Sequence, residues 1–182
     1  MFKEERNESL FDWCMIGDVA KGRPNLGPNA DVAVYRLMQF TLRDTLIKEF
    51  GVQSADAIFY AAGELAGRKL CENSLDTTKE FNAFIKDVQD LLLTLKVGIL
   101  RVEEADMDAL RFVVTVAEDL DCSGLPIYDE TICTYDEGFI SGLFTEYTGI
   151  KFVSKEIDCW CSGDRVCRFI VQPLGKTDNA AC

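Results

Sequence analysis

Cys133, Glu156, Cys159 and Cys167 are the residues of this chain best suited to chemistry, because three thiols and a carboxylate make a set of metal donors. Cys159 and Cys167 flank Ser162-Gly163-Asp164-Arg165, a polar run that folds the chain back and sets the two thiols on neighbouring strands. Glu156 precedes the first of these thiols, and Cys133 lies on the amphipathic segment before the hairpin. A zinc ion takes four such donors in a tetrahedron, with sulfur at about 2.3 Å. The spacing leaves two points open. In a regular strand Glu156 and Cys159 point to opposite faces, so the carboxylate needs a bulge or twist to reach the metal. Cys161 shares the parity of Cys159 and is the alternate fourth ligand, which would give a four-cysteine site. The competing reading is a cluster of buried free thiols, since free cysteine packs as a small hydrophobe.

A closed four-ligand site is structural: it would pin the segment carrying Cys133 to the hairpin and leave no position for a reactive water. Three thiolates and a carboxylate around Zn²⁺ carry a surplus of two negative charges. Lys155, Arg165 and Arg168 are close enough in sequence to offset it, or are ordinary solvent-facing residues. Cys14, Cys71 and Cys122 fall outside the pattern and read as packing thiols, with Cys182 in the tail.

Absences narrow the chemistry further. The chain has no histidine, which removes the usual general base, the Ser-His and Cys-His nucleophile pairs and a proximal haem ligand. The formal net charge of −12 repels phosphate backbones and anionic membranes, so direct nucleic-acid binding is not expected. The charged N-terminal segment lacks the apolar stretch of a signal peptide, and the apolar runs are too short to span a bilayer. The expected location is cytoplasmic, where eight cysteines mean reduced thiols or metal ligands.

The elements that must position these residues follow from periodicity. Residues 1–30 read as an N-terminal arm and loop, extended over Phe11, Trp13 and Met15 and punctuated by Gly22, Pro24, Gly27 and Pro28. A helix starts near Asp31 and ends at Gly51; a second runs from Ser54 as N-cap to about Glu72; a third runs from Thr77 or Thr78 through Leu95. Strands follow at Ile99–Val102 and Leu110–Ala117, with a polar turn over 103–108 and a loop over 119–128. A fourth helix is placed at Glu130–Tyr147, then the hairpin of 151–160 and 165–172. Gly63/Gly67 and Gly138/Gly142, each four apart inside a helix, signal close backbone approach, because glycine costs a helix about 1 kcal/mol against alanine. The whole describes an α+β domain, helices packed on an antiparallel sheet. It divides into a helical half at 31–96, a sheet and zinc-site half at 97–173, and a flexible tail at 174–182.

Four features together resemble the 4-vinyl reductase domain family: Gly63-x3-Gly67; Glu118 followed by Ser123-Gly124-Leu125-Pro126; Cys133 followed by Gly138 and Gly142; and Glu156-x2-Cys159-x3-Gly163-Asp164-x2-Cys167. The N-terminal half is similar to that of archaeal stand-alone members. The resemblance implies the fold of nitric-oxide signalling and Golgi transport proteins, a homodimer, and zinc on Cys133, Glu156, Cys159 and Cys167, as in the sensor domain of phenol-responsive activators. It also implies a cavity for a small apolar ligand, lined by Phe59, Tyr60, Phe84, Phe112, Val114, Phe139 and Leu143. The phenol sensors grip the hydroxyl with a histidine and a tryptophan; this chain has no histidine and its tryptophans, Trp13 and Trp160, lie elsewhere, so phenol specificity does not carry over. The expected function is a non-catalytic, zinc-stabilised small-molecule binding or sensor domain. The alternatives are a 4-vinyl reductase or tetrapyrrole carrier, and a dimeric scaffold like transport-particle subunits. Against a reductase, no glycine-rich dinucleotide fingerprint follows any expected strand.

Overall fold

The computed structural model describes residues 5–175. Five helices lie with a four-stranded antiparallel sheet of order β1-β2-β4-β3. The strands are β1 (Ile99–Asp106), β2 (Arg111–Ala117), β3 (Phe152–Asp158) and β4 (Cys167–Pro173). The helices are α1 (Val19–Gly22), α2 (Val32–Phe50), α3 (Val52–Ser74), α4 (Phe81–Leu95) and α5 (Thr134–Thr148). The α+β class, with helices on an antiparallel sheet, is as the sequence indicates.

Several boundaries differ from those expected, each for a local reason. The N-terminal arm is not extended: Trp13–Ile16 forms a 3₁₀ turn and Val19–Gly22 a single helical turn. Asp12 and Asp18 act as N-caps, accepting from the backbone N–H groups of Cys14 and Lys21, and these caps override the apolar alternation. Gly51, at φ +81°, ends α2 and opens α3 at once, so α3 begins at Val52 without Ser54 as its cap. α4 starts later than expected because Asp76 accepts from both the N–H and the hydroxyl of Thr78 and holds that segment in a turn. β1 runs through Glu103 and Glu104 to Asp106, where the turn expected earlier finally forms. The tail from residue 176 onward lies outside the described residues.

Strand alternation puts the core on one face of the sheet. Phe112, Val114 and Val116 from β2, Phe169 and Val171 from β4 and Phe152 from β3 are buried together with Phe84, Val88 and Leu92 of α4. Stacked and tilted rings of Phe81, Phe112, Phe144 and Phe152, with centroids 4.9 to 6.4 Å apart, fill the centre.

The two glycine pairs account for how α3 meets α5. A Cβ on Gly63 would lie 2.0 Å from the carbonyl oxygen of Tyr135, and one on Gly67 would lie 2.1 Å from that of Phe139. Reciprocally, Gly138 and Gly142 would drive a Cβ to 2.0 Å from Tyr60 O and 2.3 Å from Glu64 O. Only glycine on both partners lets the backbones touch, and α5 is thereby fixed in depth and rotation.

α2 is seated differently. Its interior contacts are polar: Tyr35 donates to Asp121 Oδ1 at 2.7 Å, Gln39 to Asp121 Oδ2 at 2.6 Å, and Arg36 to the carbonyls of Leu120 and Ser123 at 2.8 and 2.9 Å. Gln39 is its sole buried residue. Tyr35→Phe should therefore cost about 1–3 kcal/mol in urea unfolding, since it strands a buried carboxylate oxygen. Amide exchange should also accelerate in α2 ahead of α3.

Candidate metal centre

The sulfurs of Cys122, Cys133, Cys159 and Cys167 converge in the core, every pair within 4.8 Å. Each belongs to a different piece of chain. Cys167 opens β4, opposite Val116 in the register of β2 and β4. Cys159 follows β3 as the N-cap of the 3₁₀ turn Trp160–Ser162, where Ser162 Oγ accepts from the Cys159 N–H at 3.0 Å. Gly163 at φ +102° completes that turn and returns the chain to β4. Cys133 is the N-cap of α5, so its sulfur sits at the positive end of the helix dipole. Cys122 comes from the loop after β2. Glu118, at φ +51°, turns the chain off the strand. Asp119 Oδ1 then accepts from the N–H groups of Asp121 and Cys122 at 2.8 and 3.0 Å, shaping the loop around the thiol.

The spacing matches a tetrahedral ion. Four sulfurs each about 2.3 Å from zinc would stand roughly 3.8 Å apart. Here Cys133 lies 3.8 Å from Cys159 and 3.7 Å from Cys167, Cys122 lies 4.0 Å from Cys159, and Cys122 and Cys167 are closer at 3.1 Å. All four side chains are at most 1 % exposed. Contact with the S–H groups of Cys122, Cys133 and Cys167 pulls Cys159 well below the ordinary thiol range, while contact with its sulfur neighbours and burial push Cys133 up. In the metal-free arrangement, then, one sulfur concentrates the negative charge that a cation would share among four.

The structure brings together three of the four residues expected from sequence, Cys133, Cys159 and Cys167, and adds Cys122. Glu156 lies beside them without joining the group. A register irregularity between Glu156 and Asp158 supplies the bulge that turns both Glu156 and Cys159 inward. Glu156 Oε2 accepts from the Cys133 N–H at 3.0 Å, and Oε1 is buried without a partner. Burial, then the neighbouring Cys159, raise its carboxyl to about 8. Cys161 is fully buried but outside the group; its carbonyl accepts from the N–H groups of Tyr128 and Asp129, and burial raises its thiol to about 12. The basic residues that could have offset the charge are engaged elsewhere: Lys155 with Glu137, and Arg168 with Glu103 and Asp158. Cys122 reads as a packing thiol in the sequence because its approach depends on β2 lying next to β4, a strand order the spacing of cysteines does not contain.

A second group of donors, Asp119, Cys133 and Asp136, shares a sulfur with the first. Asp136 is in the first turn of α5, and its Oδ2 is buried without a hydrogen-bond partner. Burial and the nearby Asp119 raise Asp136 well above the usual carboxylate range, and burial likewise takes Asp119 to about 7.

The residues expected to line a cavity do not converge. Phe84, Phe112, Val114 and Leu143 are packed in the closed core, each at most 1 % exposed. Phe59, Tyr60 and Phe139 border separate spaces. Open volume lies instead under α2. Spaces of about 160, 280 and 300 Å³ border one another around Tyr35, Gln39 and Asp121. Among the described residues no helix is long and apolar enough to cross a membrane.

Helices over a four-stranded antiparallel sheet, with a buried thiol cluster where the hairpin meets α5, define the structural class. Residues 112–173 match the family model of the vinyl-4-reductase domain, so the sheet half carries the resemblance indicated by the cysteine and glycine motifs. An uncharacterized protein of Methanocaldococcus jannaschii, MJ1642, is 26 % identical over 157 residues, 86 % of each chain. Three solved structures share the fold at 14–15 % identity. The phenol-responsive sensory domain of the transcription activator PoxR, with phenol, superposes at TM-score 0.65 over 82 % of this chain and 77 % of its own. A vinyl-4-reductase family protein from M. jannaschii gives 0.59 over 92 % and 99 %. A trafficking protein particle complex subunit 3 from Naegleria fowleri, covalently bound to palmitic acid, gives 0.58 over 78 % and 94 %.

Proposed function

We propose that this chain is a non-catalytic domain that binds a small, largely apolar molecule, is held together by a structural zinc ion, and reports occupancy through α2. The observation that carries the reading is the seat of α2: a polar node on Asp121 with unfilled space on either side, in place of a packed apolar interface. A ligand that fills such space favours one placement of the helix, which a partner can read as a population shift. The likeness in fold to the PoxR sensory domain supports the same reading.

Zinc would be held by Cys133, Cys159 and Cys167, with Cys122 as the fourth ligand. Glu156 would serve as the buried acceptor that orients the Cys133 backbone. When bound, the ion would supply cross-linking, tying the loop after β2, the start of α5 and the hairpin into one unit. Four thiolates give no open position, so no hydrolytic role follows.

The outward face of α2 supports a homodimer, acting in the cytoplasm. Val34, Leu37, Met38 and Leu42 form an apolar stripe on it, each at least half exposed. Leu37→Glu should convert a dimer to a monomer in size-exclusion chromatography with light scattering; an unchanged mass would remove α2 from the interface.

The ligand reading is tested by thermal shift of the metal-replete protein against a panel of small aromatic and aliphatic compounds. A true ligand at a hundredfold excess over Kd adds about 2.7 kcal/mol, which raises Tm by roughly 5 °C or more. Uniformly flat traces across the panel would count against the proposal.

A further inference from the structure

The space beneath the N-terminal 3₁₀ turn has a character that sets the charge of its occupant. Its volume is about 280 Å³, roughly twice the ~150 Å³ cavity that takes up benzene in a protein interior. Phe11 and Trp13 close it from the N-terminal segment, Tyr35 contributes from α2, and Tyr135, Asp136 and Phe139 contribute from α5. The walls are therefore aromatic on three sides and acidic at one end, where Asp121 also borders the space.

The two carboxylates differ. Both oxygens of Asp121 are already taken, by Tyr35 and Gln39. Asp136 is 8 % exposed, and its Oδ2 has no hydrogen-bond partner. Lys69, on the same wall, is paired with Glu72 at 2.7 Å. A buried carboxylate left without donor or cation is costly, and an aromatic wall attracts positive charge through the ring quadrupoles. A neutral apolar ligand would answer the rings and leave Asp136 unpaired. An anionic ligand would meet Asp121 and Asp136 head on.

We propose that this cavity binds an organic ammonium, a molecule of one or two rings carrying a protonated amine, with the amine directed at Asp136 and the rings held between Trp13, Tyr135 and Phe139. This rests on the small-molecule reading above and narrows it to a ligand class. It also places the ligand on the helical side of α5, away from the closed core of Phe84, Phe112 and Leu143. The N-terminal segment forms the lid, so occupancy would order residues 11–16 against α2 and α5.

Calorimetric titration of metal-replete protein with 2-phenylethylammonium and with 2-phenylethanol, its neutral counterpart of the same size, tests the proposal. The ammonium is expected to bind at least tenfold more tightly. Asp136→Asn and Trp13→Ala should each weaken it at least tenfold while leaving zinc stoichiometry at the wild-type value. Should Asp136→Asn disturb folding, the comparison of the two probes and the Trp13→Ala variant decide the matter, since Trp13 lies on a segment remote from the thiols. Equal or tighter binding of 2-phenylethanol, or ammonium binding indifferent to Trp13→Ala, would overturn the ammonium assignment and leave the broader ligand reading standing. No heat from either probe at millimolar concentration would overturn it too, with the thermal-shift panel remaining as the separate test of the broader reading.

Discussion

Cys133→Ser, or removal of the metal by a strong chelator, is expected to abolish cooperative unfolding of the sheet half. Structural zinc contributes apparent free energies of about 10–16 kcal/mol in zinc-finger peptides, comparable with or larger than the whole stability of a typical domain, about 5–15 kcal/mol. A chain with the aromatic core seen here keeps part of its fold without the ion. The loop after β2, the start of α5 and the turn between β3 and β4 have little else in common, so they should lose protection from amide exchange together. The neighbouring residues discriminate between donor sets. Cys122→Ser should release zinc in competition with a chelator. Glu156→Gln should retain one zinc per chain, with affinity lowered by about 10–100-fold, as is usual when a group supporting a ligand is altered. Cys161→Ser should leave stoichiometry unchanged. The reverse pattern, zinc retained without Cys122 and lost with Glu156→Gln, would return the carboxylate to the metal.

Gly138→Ala is the second large effect. The added methyl would lie 2.0 Å from the carbonyl oxygen of Tyr60 and 2.8 Å from the amide nitrogen of Glu64. Neither is the end of a flexible side chain, so α3 and α5 must separate. Overpacking ordinarily costs about 1–3 kcal/mol; a backbone clash along the full contact should reach the top of that range or exceed it, lowering Tm by roughly 6–12 °C. Gly142→Ala should behave alike. Gly124→Ala is the control: its Cβ would meet nothing within 4 Å, and its cost would come from φ +89° alone. Because α5 starts at Cys133, the glycine variants should also loosen the thiol cluster, visible as faster metal release. A Gly138→Ala protein as stable as wild type would mean that α3 and α5 are not in backbone contact.

How much of this was legible in the sequence follows from which features are local. The glycine pairs announced close helix packing because glycine inside a helix needs a reason, and the hairpin announced Cys159 beside Cys167 because a turn sets its own strand pairing. The demand for a bulge near Glu156 followed from strand parity alone. Cys122 was not legible, because its approach requires the β2–β4 adjacency and the left-handed turn at Glu118, neither of which has a signature in the spacing. The aromatic residues expected around a cavity have the right composition for one. Whether Phe84 and Phe112 line a space or fill it depends on what faces them, and here Phe81, Phe144 and Tyr147 do. The N-terminal turns were hidden for the opposite reason: two aspartate caps, a local signal, outweighed an apolar alternation that suggested extension.

The central claim is that four sulfurs converge on one divalent ion. X-ray absorption at the zinc edge of the purified protein measures this directly. A shell of four sulfurs at about 2.3 Å, with no oxygen near 2.0 Å, is the expected result. A shell of three sulfurs and one oxygen would restore Glu156 as ligand in place of Cys122, and a protein that carries no stoichiometric metal after expression with zinc would contradict the account outright.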